Sequence, residues 1–192
     1  MPFSLRARME DFGLLEKKER IAIFGGTFDP PHFGHIHCIL QAKERYALDE
    51  VWVIPAHANP LKSTETSAID RFRMAQLAFE NLENCCVLDL EIQRPAPSYT
   101  IETLEWLMEH DQKFYDAERF LILGRGVQFD LWKDKERIEQ LLQPIMIDEA
   151  GNFLVSSTLV REWLQKKISI GHLIPSSVLT YIVEHNLYLE DS

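Results

Sequence analysis

The chain has 192 residues, 46% of them hydrophobic, and its 20 basic and 30 acidic side chains give a net charge of −10. That length suits one domain with a full core, and the negative balance argues against a general nucleic-acid surface. The longest apolar runs are far shorter than the roughly 20 residues a membrane span needs, and residues 1–20 hold no apolar signal core. Three cysteines, Cys38, Cys85 and Cys86, are an odd number with two adjacent, so they frame no disulfide scaffold and lack metal-site spacing. These features predict a cytoplasmic protein with no membrane or nucleic-acid partner and no metal held by its own side chains.

In chain order, residues 1–19 read as an N-terminal arm, mixed in charge and disordered by pattern. Apolar segments of strand type at 20–24, 51–54, 86–90, 119–123 and 144–147 then alternate with helix-type segments at about 35–46, 68–82, 99–110 and 129–142. The alternation predicts right-handed crossovers and an α/β fold, a Rossmann-like doubly wound parallel sheet. Ser67 followed by Asp70 resembles a capping box, and Ser98 is placed to cap the helix starting near Tyr99, with Glu102 in its first turn. Two more helices, about 157–167 and 175–186, follow the last strand. They predict a small C-terminal helical subdomain over the carboxyl ends of the strands, where open sheets bind ligands. Residues 20–192 therefore read as one domain, with 155–192 its helical part. Met74, Leu77 and Phe79 read as packing residues, and Arg71 and Arg73 as a solvated face.

Chemistry concentrates where the first strand ends, in Gly25-Gly26-Thr27-Phe28-Asp29-Pro30-Pro31-His32-Phe33-Gly34-His35. Paired glycines let the backbone turn sharply and approach a ligand, and two imidazoles arrive three residues apart at the mouth of a helix. Backbone N–H groups around Gly25 to Phe28 and the helix N-terminus offer positive charge without a protonation requirement, which suits a triphosphate. Imidazoles at 32 and 35 can donate to the oxygens of a phosphorus undergoing in-line displacement, so no protein nucleophile is needed. Pro30 and Pro31 stiffen the loop that holds them.

A second anion site reads from Val155-Ser156-Ser157-Thr158-Leu159-Val160-Arg161, three hydroxyl residues opening a helix with a guanidinium one turn on. Taken alone, ordinary helix caps and a surface arginine explain it as well. The first motif shifts the balance toward phosphate binding.

The two segments in this order resemble the nucleotidylyltransferase superfamily with an H-x-G-H signature. Asn59-Pro60-Leu61-Lys62, Pro97 to Leu104, Trp132-Lys133 and Tyr181-Ile182-x-x-His185-x-Leu187-Tyr188 are more specifically similar to bacterial nicotinate-nucleotide adenylyltransferases. The resemblance runs from residue 20 nearly to the end. It implies transfer of AMP from ATP to nicotinate mononucleotide, giving deamido-NAD and pyrophosphate, with Mg²⁺ carried by the ATP phosphates. By the same resemblance His32 and His35 stabilise charge at the α-phosphorus and Gly25, Gly26, Thr27 and Phe28 line both nucleotides. It further implies that Gly124, Ser156, Ser157, Thr158 and Arg161 hold ATP, and that Lys62 adds a mobile positive charge. Trp132 matches the aromatic beside the pyridine ring, and Tyr99 and Thr100 the segment that meets its carboxylate. By pattern alone Trp132 serves equally as a packing residue beside Leu131, Ile138 and Leu141.

Two departures from the resembled pattern stand out. After the fourth strand the chain reads Gly124-Arg125-Gly126, where the pattern has an aspartate in the last place. Only residues 133–155 separate Trp132 from Ser156, a short connection in which Asp148 to Asn152 read as a tight acidic turn. Nicotinamide mononucleotide or another phosphorylated acceptor, as in pantetheine-phosphate transfer, is therefore kept as an alternative substrate. A degenerate, non-catalytic nucleotide-binding protein is the alternative class.

Overall fold

Side chains alternate across a pleated strand, so a run that is apolar at every position is stable where both sheet faces are covered. The structure, a computed structural model, describes residues 17–61, 63–147 and 155–188. The runs form β1 (Arg20–Gly26), β2 (Glu50–Pro55), β3 (Cys85–Val87), β4 (Glu118–Gly124) and β5 (Gln143–Ile147). They make one parallel sheet in the order β3-β2-β1-β4-β5. Between and after them run α1 (Phe33–Tyr46), α2 (Ala68–Phe79), α3 (Thr100–His110), α4 (Gln112–Asp116), α5 (Lys135–Leu141), α6 (Ser157–Gln165) and α7 (Ser176–Glu184). This is the Rossmann-like α/β arrangement the alternation predicts.

Each face of the sheet carries its own core. Ala22 and Phe24 of β1 pack with Ile39 and Ala42 of α1, Met74 and Phe79 of α2, and Val178 and Ile182 of α7. Ile21 and Ile23 turn the other way, toward Leu104 and Leu107 of α3, Phe114 of α4 and Ile138 of α5. Met74 and Phe79 are thus core residues, and Leu77 packs half-buried against them. None of the described helices is long and apolar enough to cross a membrane.

Several boundaries differ from the sequence pattern, each for a local reason. Ser67 caps α2 as expected, accepting from the Asp70 N–H and donating to its carboxylate. Ser98 does not cap α3: its hydroxyl accepts instead from the His57 N–H across the sheet edge, and Tyr99 is the N-cap. β3 stops at Val87, and residues 88–90 leave the strand for a turn. The single helix expected over 129–142 is broken, because Trp132 is extended and Asp134 is left-handed between a short 3₁₀ turn at Phe129–Leu131 and α5. α4 has no counterpart in the pattern, and its start is held by the Asp111 carboxylate accepting from the Phe114 N–H. Residues 17–19 are exposed coil, while 1–16 of the expected arm and the acidic turn at 148–152 lie outside the described residues.

The sheet order reverses at β1, which lies between β2 and β4. β1 and β4 pair from Arg20↔Glu118 to Ile23↔Leu121, yet both strands continue to Gly26 and Gly124. Their last residues diverge and open a crevice at the carboxyl ends, the place where open α/β sheets take ligands.

Candidate active site

The loop leaving β1 folds back on itself. Phe28 adopts φ 52°, and its ring, 2% exposed, lies over Gly26 so closely that a Cβ there would stand 2.7 Å from the ring. Gly26 is required by that approach. The Phe28 ring belongs to the core, edge-on to Phe24, Phe79 and His35, so this residue offers a ligand its backbone.

His32 is the N-cap of α1, and His35 lies one turn in. The His32 backbone N–H donates to His35 Nδ1 at 3.1 Å, which places the His35 proton on Nε2 in the neutral ring. The two rings stack with centroids 3.6 Å apart. Burial pulls the His32 pKa from 6.5 to about 4, so the ring is neutral at pH 7, and its Nδ1 is buried with no partner among the described residues. A neutral imidazole still carries one N–H donor, so the pair can face phosphate oxygens without a prior protonation step.

Two cavities meet at this loop. The larger, about 590 Å³, is lined by Gly25 to Phe28, His32 and His35, by Gly124 and Arg125 beyond β4, and by Ser156, Ser157, Thr158 and Arg161 at the start of α6. The smaller, about 390 Å³, is lined by Asn59, Glu91, Ser98, Tyr99, Thr100, Trp132 and Lys133. Gly25, Gly26, Leu61 and Trp132 border both. The tertiary fold thus gathers two motifs more than 120 residues apart, with Trp132 at the junction. Thr27 and Phe28 border only the larger cavity, and Lys62 lies outside the described residues. Gly126 has φ 81° in the turn closed by the Val127 N–H to the Gly124 carbonyl, a backbone reason for glycine where the resembled pattern has aspartate. Arg125 beside it is exposed.

Polar contacts fasten the loop from two sides. Ser156 caps α6 by accepting from Leu159 N–H, Ser157 Oγ donates to the Pro30 carbonyl at 2.8 Å, and Arg161 Nη1 donates to the Asp29 carbonyl at 2.7 Å. The Asp29 carboxylate, 3% exposed, accepts from the Tyr188 and Thr66 hydroxyls and the Glu65 N–H. Arg71 is not part of a solvated face. It is 1% exposed, and its guanidinium donates to the carbonyls of Thr27, Ala56 and His57, tying the loops after β1 and β2 together. Arg73, two residues on, is exposed as expected.

Asp29, Arg71 and Tyr188 hold places in the site that the sequence pattern did not assign to them, as does Glu91 in the smaller cavity. Glu91 accepts from the Thr103 hydroxyl at 2.7 Å, and Arg94 donates to the same hydroxyl from behind. Burial raises the Glu91 pKa, and hydrogen bonds from Thr103 and Ser98 oppose that rise. The only sequence signal for Arg71 was its place on the face of α2 that also carries Met74, Ala75 and Ala78.

Among the described residues no three His, Cys, Asp or Glu side chains stand together as a metal site. Among the described residues Asp29 is the one carboxylate on the larger cavity, and both its oxygens are engaged. The other polar groups on that cavity are mainly N–H and O–H donors, a set that fits phosphate oxygens, and a cation bound to those phosphates.

Residues 23–163 match the family model described as cytidylyltransferase-like. The chain is 35% identical to a protein of Methylacidiphilum infernorum described as a probable nicotinate-nucleotide adenylyltransferase, over 88% of this chain and 92% of that one. It is 31% identical to the nicotinate-nucleotide adenylyltransferase of Bacillus subtilis, over 88% of this chain and 98% of that one. In fold it is similar to the Plasmodium falciparum nicotinic acid mononucleotide adenylyltransferase complexed with NaAD, with a TM-score of 0.72 and 20% identity over 88% of this chain and 97% of that one.

Proposed function

The chain belongs to the cytidylyltransferase-like family and, within it, to the nicotinate-nucleotide adenylyltransferases, and from that premise we propose how its residues carry out the reaction. The enzyme transfers AMP from ATP to nicotinate mononucleotide in NAD biosynthesis. The observation that carries the assignment of parts is the junction of two cavities at Gly25, Gly26 and Trp132.

ATP occupies the larger cavity, its phosphates toward Ser156, Ser157, Thr158 and Arg161 and its nucleoside toward Gly124. The mononucleotide occupies the smaller one. Its ring lies against Trp132, and its ring carboxylate meets the start of α3 at Tyr99 and Thr100, where the Tyr99 N-cap makes no side-chain bond to the first N–H groups. Lys133 stands at that rim, its Nζ 4.3 Å from the Tyr99 ring centroid and paired with Glu102 of the first turn of α3 at 2.9 Å.

The phosphate oxygen of the mononucleotide attacks the α-phosphorus of ATP, a P–O bond forms, and the bond to the bridging oxygen breaks as pyrophosphate leaves. His32 and His35 donate to the equatorial oxygens as their charge grows, an interaction worth most in the transition state. Arg161, the Ser156 and Thr158 hydroxyls and the backbone N–H groups at Ser157 and the start of α6 hold the departing pyrophosphate, with Lys62 an additional cation. Enzymes of this family use a divalent metal with the nucleotide. Mg²⁺ would be held by the ATP phosphates rather than by protein side chains and would neutralise their charge there. Residues 20–192 act as one catalytic domain, in the cytoplasm.

Chromatographic assay of purified protein with ATP and Mg²⁺ tests this reading, with nicotinate and nicotinamide mononucleotide run in parallel. The expected result is dinucleotide from the acid in preference to the amide. Preference for the amide would overturn the assignment of the α3 terminus, and no product from either would overturn the assignment of both cavities.

A further inference from the structure

Arg161 is held by two contacts, one to each of two neighbouring loops that are themselves bonded together. Its Nε donates to Glu65 Oε1 and its Nη1 to the Asp29 carbonyl, both at 2.7 Å. The backbone N–H of Glu65 in turn donates to Asp29 Oδ2 at 2.8 Å. Asp29, Glu65 and Arg161 therefore form a closed ring of three hydrogen bonds, drawn from the loop after β1, the loop before α2, and α6. Asp29 within the ring is buried and further fixed by Tyr188 and Thr66.

The ring spends the Nε and one Nη1 proton of the guanidinium. No acceptor among the described residues engages Nη2, and Arg161 lines the larger cavity. A guanidinium is planar, so fixing two of its edges fixes the direction of the third. Without a partner on Nε, an arginine side chain samples many rotamers, and ordering it on binding costs free energy.

We propose that Glu65 is a positioning residue for ATP, acting through Arg161: its carboxylate holds the guanidinium so that Nη2 is presented to the triphosphate before the nucleotide arrives. Glu65 itself touches no substrate. This rests on the assignment of ATP to the larger cavity. A positioning role requires an acceptor at Glu65 Oε1 and not its charge, since a negative charge near a triphosphate is by itself unfavourable. Glutamine can supply that acceptor, and alanine cannot.

The test is steady-state kinetics of Glu65→Ala, Glu65→Gln, Arg161→Ala and the Glu65→Ala/Arg161→Ala double variant, with thermal melts of each. Glu65→Ala should raise the KM for ATP about tenfold, with kcat and the KM for the mononucleotide within about threefold of wild type. Glu65→Gln should restore the ATP KM to near the wild-type value. In the Arg161→Ala background, Glu65→Ala should add no further loss, because its effect passes through Arg161. An unchanged ATP KM in Glu65→Ala, no rescue by glutamine, or additive losses in the double variant would each overturn the proposal. If Arg161→Ala alone leaves the ATP KM unchanged, the assignment of ATP phosphates to α6 fails, which is distinct from failure of the Glu65 role.

Discussion

His32 and His35 stack ring to ring, with centroids 3.6 Å apart and planes 21° from parallel. Helical spacing puts the two on one side of α1, and the backbone bond from His32 N–H to His35 Nδ1 orients the second ring. Stacking two imidazoles this closely is tolerable because burial keeps His32 neutral. The same arrangement makes protonation costly, and that has measurable consequences.

Folding holds the His32 pKa at about 4, below its ordinary 6.5, so between those values the unfolded chain binds a proton that the native one refuses. Stability from this group is therefore whole above pH 6.5 and is lost as pH falls toward 4, by roughly 3 kcal/mol in all. Urea midpoints at pH 7 and pH 4.5 measure the loss. His32→Gln removes the titrating group and should decline less over the same interval; equal declines in both proteins would refute the assignment.

His35→Ala should lower kcat by about 10²- to 10³-fold while the KM for ATP stays within about threefold, because a donor to developing charge acts mainly in the transition state. Initial rates at varied ATP separate the two parameters. An equal loss in ATP binding would instead identify a ground-state contact.

Trp132 borders both cavities and is partly buried against Phe129, ring centroids 5.3 Å apart. Trp132→Ala should raise the KM for nicotinate mononucleotide about tenfold, and Trp132→Phe should keep most of the affinity, since an aromatic face is what the pyridine ring needs. Titration of each variant with mononucleotide at saturating ATP decides it. An unchanged KM in the alanine variant would leave Trp132 a packing residue.

Arg71 donates to three backbone carbonyls from a buried position. Arg71→Ala strips those acceptors of their donor and should cost about 3–5 kcal/mol of stability, whereas Arg73→Ala on the exposed side of α2 should stay within about 0.5 kcal/mol. Urea denaturation of both variants gives the comparison. A small effect at Arg71 would mean that water replaces the guanidinium.

The α/β alternation was readable because runs such as Ile21 to Phe24 must be covered on two faces, and only a sheet flanked by helices covers them so. Helix continuity was less readable. Leu131, Ile138 and Leu141 keep helical spacing across 129–142, yet Asp134 turns left-handed in their midst and sets Trp132 toward the cavities. Spacing reports which side chains are apolar and not which backbone conformation the surroundings enforce. Ser98 illustrates the same limit, since a hydroxyl placed to cap its own helix finds the His57 N–H, 41 positions away, and accepts from it.

The sequence by itself determined the chemistry on offer: two glycines, two histidines and a hydroxyl-rich helix start, each at a spacing that suits phosphate, because local backbone geometry is a short-range property. The tertiary structure alone decided how they are assembled. Arg71, two positions from the exposed Arg73, lies inward, where it donates to three carbonyls of the loops after β1 and β2. Asp29 becomes a hub because Tyr188, 159 positions on, closes over it. Burial and partnership depend on contacts between distant segments, and those contacts exist only once the sheet order has placed β1 at its centre.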